Sequence, residues 1–250
     1  MLSTISNKEF KKLKNEGFNR IPLVLECFAD LDTPLSVYSK LANDRYSYLL
    51  ESADGGNKYG RYSIIGLPAK IRIQIKKNVI SVFNKEKLID ELTDQNPLNF
   101  IDDFMNQFKT PKNLDLPRFS GGLAGYFGYE TIQYIEPRLS KEFIDDKLDL
   151  PDILLMLSDE VVVFDNVSGK LYFVNYVDVN MTNAYDEGIL RLKALEEKLK
   201  QGPSPYLIEE NKIVDDLSEV KSEFGEENFL KAVEKIKDYI FNGDTMQVVL

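Results

Sequence analysis

A strict alternation of isoleucine with polar residues constrains the fold of this 250-residue chain more than any other feature. Ile71, Ile73 and Ile75 alternate with Arg, Gln and Lys, which is the pattern of a strand that buries one face. A turn near Asn78 then leads into a second β-rich run, Val79–Phe83. The two runs therefore predict an antiparallel hairpin.

β-rich runs recur along the chain and alternate with helix signals. The further runs lie at 21–28, 46–51, 61–67, 152–164 and 170–177. Helices are expected where a capping residue or an apolar stripe occurs. Capping residues are Ser6, Thr33 and Asn96, and apolar stripes span 183–200 and 229–240. These elements predict an α+β fold in which antiparallel sheets pack face to face with helices outside.

Composition divides the chain into three parts. The mixed α and β region spans 1–205, and the polar, acidic stretch 206–224 is expected to be a linker. Residues 225–250 begin a second unit, in which Met246–Leu250 is typical of a buried strand. Because a final strand with no return would leave a sheet edge unpaired, we expect the chain to end inside this incomplete unit.

Charge and residue usage exclude several classes of protein. Lys plus Arg total 31 and Asp plus Glu total 41, and the net charge of −10 repels phosphate backbones, so no nucleic-acid partner is expected. No apolar run of about 18 residues occurs, so no membrane partner is expected. The one cysteine, Cys27, lies in an apolar run, which favours a core residue and a reducing cytoplasm.

The absence of histidine restricts the chemistry available to this sequence. It excludes a Ser-His-Asp triad, a Cys-His pair and a His-ligated metal from these residues. Proton transfer by this chain would have to use Asp, Glu, Lys, Tyr or Cys.

A glycine-rich segment, Gly121–Glu130, is the first candidate for a functional role. It contains neither the Gly-Lys-Ser/Thr of a phosphate loop nor the spacing of a dinucleotide fingerprint. Glycines in a strand allow close approach of a neighbouring element. We therefore favour close packing here over direct contact with a ligand.

A second candidate combines Leu49–Ser52 with Gly60–Ser63, on either side of a glycine-rich loop. Glu51 could hold the ammonium group of a zwitterion, while Arg61 and nearby hydroxyls could hold its carboxylate. The alternative is a solvated strand end with a surface ion pair. The pattern by itself favours that alternative.

The third candidate is Gly243–Leu250, where Gln247 interrupts an apolar run. A buried amide must find hydrogen-bond partners. Such partners are either structural groups or a ligand in a pocket, and the pattern leaves both open.

Together these three segments resemble the large subunit, component I, of anthranilate synthase, one of the chorismate-utilising enzymes. That family has an L-L-E-S strand, an R-Y-S-like segment and then G-G-x-x-G-Y-x-G-Y-D/E. Later it has a helix that ends in G-D-x-x-Q-V-V-L. All four motifs occur in this sequence in the same order. The resemblance extends from about Thr33 to the end of the sequence.

The resemblance implies a regulatory domain that binds tryptophan, followed by a chorismate-binding domain from about Glu226. The residues that match the family's inhibitor site are Leu50, Glu51 and Ser52, with Arg61, Tyr62 or Ser63 near the next contact. The implied lyase reaction converts chorismate and ammonia to anthranilate and pyruvate. A glutamine amidotransferase subunit would supply the ammonia, and Mg²⁺ would be the cofactor.

The family's catalytic histidine and magnesium ligands match no motif in this sequence. The resemblance places them in a later half, so no metal ligand is assigned here. We therefore expect these 250 residues to be inactive by themselves.

Gln247 is the one residue assigned to the reaction, because it distinguishes branches of this superfamily. Isochorismate and salicylate synthases resemble each other in having lysine there, and a desolvated lysine can deprotonate water. An amide cannot act as that base, whereas ammonia already has a free lone pair. Gln247 therefore fits an amination.

The pair Val248–Val249 resembles anthranilate synthase more than aminodeoxychorismate synthase, which remains the alternative enzyme. A non-catalytic amino-acid-binding module is the alternative from another class.

Overall fold

The computed structural model describes residues 5–51, 60–94, 96–112, 114, 116–117, 119–139, 149–201 and 222–250. The chain divides into two compact units, Met1–Pro205 and Tyr206–Leu250. The predicted linker lies almost entirely outside the described residues. No helix in the described ranges is long and apolar enough to cross a membrane.

The first unit contains four α-helices and ten strands among its described residues. The helices are α1 (Asn7–Asn15), α2 (Pro34–Leu41), α3 (Pro97–Asn106) and α4 (Ala184–Lys200). The strands are β1 (Arg20–Phe28), β2 (Tyr48–Leu50), β3 (Tyr62–Gly66), β4 (Ile71–Lys76), β5 (Val79–Asn84), β6 (Lys87–Thr93), β7 (Gly122–Phe127), β8 (Ile153–Ser158), β9 (Glu160–Asp165) and β10 (Lys170–Asp178). Two 3₁₀ helices span Tyr129–Tyr134 and Pro137–Leu139.

The strands form two five-stranded sheets in which every described pair is antiparallel. The first sheet has the order β1-β10-β9-β3-β2, and the second has the order β6-β5-β4-β8-β7. The chain passes from the first sheet to the second between β3 and β4, and it returns between β8 and β9. The predicted α+β class with antiparallel sheets and flanking helices is confirmed.

The hairpin predicted from the isoleucine alternation is β4 and β5. Ile73 lies opposite Val82 and Ile75 lies opposite Ile80. All four side chains are buried in the core of the second sheet. The alternation therefore identified both the strand and its buried face.

Helix ends follow the capping chemistry of the sequence. The Ser6 hydroxyl accepts a hydrogen bond from the Glu9 amide at 3.2 Å and begins α1. At α2, Thr33 and Ser36 cap each other reciprocally, with bonds of 2.9 and 3.2 Å. Each arrangement satisfies amide groups that would otherwise lack a partner in the first turn.

Each sheet has its own hydrophobic core. Side chains from alternate positions of the first sheet pack against α1, α2 and α4, with Leu23, Phe173 and Leu192 fully buried. The second sheet packs against α3 through Ile101. Cys27 packs against the first core, as expected, and burial raises the pKa of its thiol to about 11.

The second unit differs from the prediction at its end. Its described part contains one helix, α5 (Glu226–Phe241), and Met246–Leu250 forms no strand there. Met246 and Val249 are exposed. A strand requires a neighbouring strand to receive its backbone hydrogen bonds, and the described residues of this unit supply none.

Candidate functional site

One row of side chains crosses the whole first sheet on the face opposite its helices. Leu50 lies opposite Ile64, and Ile64 lies opposite Val163. Val163 in turn lies opposite Tyr172, and Tyr172 lies opposite Glu26. Because directly opposed residues point to the same face of a sheet, the end of β2 and the middle of β1 share one surface.

The Leu50–Glu51 segment forms the edge of this surface. Leu50 is exposed at the end of β2, and Glu51 follows it, also exposed. The pairing of Leu50 with Ile64 brings this strand end beside the start of β3. Ser52 lies outside the described residues.

Arg61 is held at the start of β3 by a buried carboxylate. Its Nε and Nη2 atoms donate to Asp165 at 3.1 and 2.7 Å. Asp165 is 1% exposed and also accepts from the amides of Val167 and Ser168. The Arg61 guanidinium, with help from those two amides, lowers the pKa of Asp165 to about 2.

This ion pair uses the Nε and Nη2 edge of the guanidinium. The Arg61 guanidinium also lies 4.9 Å from the centroid of the Tyr62 ring, a cation–π distance. Arg61 therefore presents a fixed positive charge at the surface, with an aromatic ring beside it.

Ser63 has a structural role instead. Its side chain is fully buried, and its hydroxyl accepts a hydrogen bond from Asn166 Nδ2 at 3.1 Å. The same Asn166 amide donates to the Gly60 carbonyl. Of the three residues that the sequence left open, Arg61 is exposed and Tyr62 is half-buried, whereas Ser63 is buried.

A cavity of about 380 Å³ lies on this surface next to Arg61 and Tyr62. Lys170 and Glu26 line it and form an ion pair of 2.6 Å, which raises the pKa of Lys170. Tyr172 also lines it. Its apolar lining consists of Leu114, Leu116 and Pro117 from the segment before β7, together with Ile5, Pro22 and Val24.

The cavity combines both signs of charge with aromatic and apolar walls. Such a lining suits a zwitterion with a flat apolar side chain. Glu51 and Leu50 are not among its described lining residues. The structure thus joins Arg61 and Tyr62 in one cavity and places Leu50 on the same sheet face, with Glu51 directly after it.

Asp165, Glu26, Lys170 and Tyr172 were not predicted as site residues. Tyr172 lies between the buried Leu171 and Phe173 of β10, an alternation that was visible in the sequence. Glu26 follows a run, 21–25, that is buried throughout, so no alternation marks it. Which outward positions meet depends on the strand register, which the sequence did not show.

The glycine-rich segment forms β7, an edge strand beside β8. A Cβ atom added at Gly125 would lie 1.9 Å from the carbonyl oxygen of Leu154. One added at Gly121 would lie 2.6 Å from the ring of Tyr176. These contacts are with protein atoms, which supports close packing as the role of both glycines.

Gln247 belongs to the second unit. It is exposed and lies outside any strand, so the predicted burial of its amide is not found. The Thr245 hydroxyl donates to the Gln247 backbone carbonyl at 3.2 Å.

The described residues also contain no group of three or more Asp, Glu, Cys or His placed to hold a metal ion. No Mg²⁺ ligand is therefore assigned within them.

Comparison with known proteins identifies the family. The family described as chorismate binding enzyme matches residues 45–250, which is most of the chain. The chain belongs to this family. The fold of this chain is also similar to that of a solved structure. That structure is anthranilate synthase component I from Streptococcus pneumoniae, with a TM-score of 0.54 and 25% identity over 87% of this chain and 46% of that one.

Curated relatives named anthranilate synthase component 1 align over nearly the whole sequence. The protein from Neisseria meningitidis serogroup C is 48% identical over 248 residues, and that from Pseudomonas putida is 42% identical over 252. The protein from Aquifex aeolicus is 36% identical over 251 residues. These alignments cover 98% of this chain and 49–50% of each relative, so the chain spans about half the length of the curated relatives it matches.

Proposed function

We propose that this chain is the N-terminal part of the large subunit of an anthranilate synthase. The complete subunit would convert chorismate and ammonia to anthranilate and pyruvate in tryptophan biosynthesis. The observation that carries the proposal is 48% identity, over 98% of this chain, to a protein named anthranilate synthase component 1. The family match over residues 45–250 supports chorismate as the substrate.

Ammonia would come from a glutamine amidotransferase subunit. Mg²⁺ would be held by residues of the complete subunit, because no described cluster here fits a metal ion. The cytoplasm is the proposed compartment.

The first unit would regulate the reaction by binding tryptophan. Glu51 would take the ammonium group and Arg61 the carboxylate, with Leu50, Ser52 and Tyr62 completing the contact. Leu50 and the cavity beside Arg61 lie on the same face of the first sheet, which supports this assignment. The Asp165 ion pair adds support, because an arginine that is already ordered loses less side-chain entropy on binding.

Product analysis of the complete subunit tests the proposed reaction. With chorismate, ammonium and Mg²⁺, we expect fluorescent anthranilate and an equal amount of pyruvate. Accumulation of an aminated chorismate without pyruvate would favour aminodeoxychorismate synthase. Absence of any chorismate turnover would favour the non-catalytic amino-acid-binding module.

Gln247 would favour ammonia over water as the nucleophile. In the complete subunit, we expect Gln247→Lys to lower anthranilate output and to admit water addition, because lysine introduces a base and a charge. Chromatographic analysis of the products measures both effects, with Gln247→Glu as a variant that adds charge of the opposite sign. Unchanged anthranilate output in Gln247→Lys would show that this amide has no part in nucleophile choice.

A further inference from the structure

The strand that carries Leu50 and Glu51 has little support from its own sheet. β2 contains three residues and, within the part of the chain that the structure describes, pairs with β3 alone, through Tyr48, Leu49 and Leu50. A short edge strand is a weakly held element. Its position must therefore depend on contacts made by its side chains.

Tyr48 supplies one such contact, and the contact reaches the second sheet. Its hydroxyl donates to the Oγ atom of Ser158 at 2.9 Å. Ser158 is the last residue of β8 and is 2% exposed. Burial raises the pKa of Tyr48, so the phenol stays protonated and remains a donor at neutral pH.

The Tyr48 ring is also fitted to its neighbour in the first sheet. Tyr48 lies directly opposite Gly66 in the ladder. A Cβ atom at Gly66 would lie 2.1 Å from Cε1 of the ring. The ring therefore occupies the space that a side chain at position 66 would need, and it spans from β3 to β8.

Tyr46 provides a second link from the same segment to the second sheet. The Arg72 guanidinium on β4 lies 4.3 Å from the centroids of both the Tyr46 and Phe83 rings. Arg72 is 5% exposed, and both rings are half-buried. The backbone of Tyr46 is also held, because its carbonyl accepts from the Ala69 amide at 3.0 Å.

We propose that Tyr48 is a positioning residue for inhibitor binding, and that its bond to Ser158 fixes the place of Leu50 and Glu51. Tyr48 and Leu50 are two residues apart in a strand and share a face. Loss of the Tyr48–Ser158 hydrogen bond therefore leaves the end of β2, with Leu50 and Glu51, less ordered. Tryptophan would then have to order this segment as it binds, and its affinity would fall. The inference rests on the tryptophan regulation proposed above.

The test compares tryptophan inhibition of the complete subunit with its variants Tyr48→Phe and Ser158→Ala, using ammonium as the nitrogen donor. Each variant removes the same hydrogen bond from a different side and keeps the ring. We expect the tryptophan concentration for half-inhibition to rise about threefold to tenfold in each. The chorismate KM should stay unchanged. The double variant should show no greater rise than either single variant, because one interaction is lost in all three.

Tyr126→Phe is the matched control. The Tyr126 hydroxyl donates to the Pro151 carbonyl at 2.9 Å, and neither residue lines the cavity beside Arg61. This control should lose thermal stability to a similar extent and keep the parent's inhibition curve.

Superimposed inhibition curves for the parent and Tyr48→Phe would overturn the inference and leave Tyr48 as a stabilising contact only. A parent enzyme that is insensitive to tryptophan would instead overturn the proposed regulation, and the inference would fail with it. The parent curve separates these two results.

Discussion

The Arg61–Asp165 ion pair is the best-defined interaction of the candidate site. The folded protein lowers the Asp165 pKa from its ordinary value of 3.8 to about 2, so the unfolded chain binds this proton more readily. The carboxylate therefore stabilises the fold above about pH 4, and this stabilisation is lost as the pH falls towards about 2. Because Arg61 is half exposed, solvent screens the pair and reduces this stabilisation.

We expect Asp165→Asn to remove this pH-dependent part of the stability. Denaturant unfolding at about pH 6 and about pH 3 measures the free energy of unfolding of the parent and of the variant. The difference in this free energy between the two proteins should be smaller at the lower pH. Asp90→Asn on β6, where Asp90 is exposed, serves as the control and should show no such trend. A difference between parent and Asp165→Asn that is constant with pH would contradict the assignment.

Ser52 is expected to serve inhibition and not catalysis. Removing one hydrogen bond to a charged ligand group costs about 1.5–3 kcal/mol, or about 10- to 150-fold in affinity. In the complete subunit, Ser52→Ala should therefore raise the tryptophan concentration for half-inhibition at least several-fold, with the chorismate KM nearly unchanged. Coincident inhibition curves, with the variant folded and active, would remove the effector site from this residue.

At the scale of elements, β7 depends on the absence of a side chain at Gly125. Alanine has the better strand propensity, so Gly125→Ala would be stabilising on propensity alone. The added Cβ would overlap the Leu154 carbonyl, however, and β7 would have to move away from β8. We expect a loss of about 1–3 kcal/mol in the free energy of unfolding.

Thermal denaturation measures this effect. Ala124→Ser, at the preceding position of the same strand, is the control and should leave the Tm close to that of the parent. A Gly125→Ala Tm equal to or above the parent's would show that this edge strand accommodates a side chain.

At the scale of the whole molecule, we expect the 250-residue chain to produce no anthranilate by itself. It has no histidine, and the part of it that the structure describes has no cluster that fits Mg²⁺. Product fluorescence with chorismate, ammonium and Mg²⁺ measures this, with the complete subunit as the positive control. Turnover above a protein-free blank would show that the chain holds a catalytic site of its own.

The sequence by itself determined the features that depend on neighbours along the chain. The isoleucine alternation predicted the β4–β5 hairpin and its buried face, and Ser6 marked the start of α1. The ordered motifs from Leu49 to Leu250 indicated the family. Local periodicity, capping and residue identity act within a few residues, so they can be read without the fold.

Only the tertiary structure decided which distant residues meet. Arg61 and Asp165 are 104 positions apart, and Tyr48 and Ser158 are 110 apart. The first contact depends on the register within one sheet and the second on how strands of two sheets are placed, which no local pattern specifies. For the same reason Met246–Leu250 has the composition of a buried strand and yet is exposed, because a strand forms only where a partner strand accepts its hydrogen bonds.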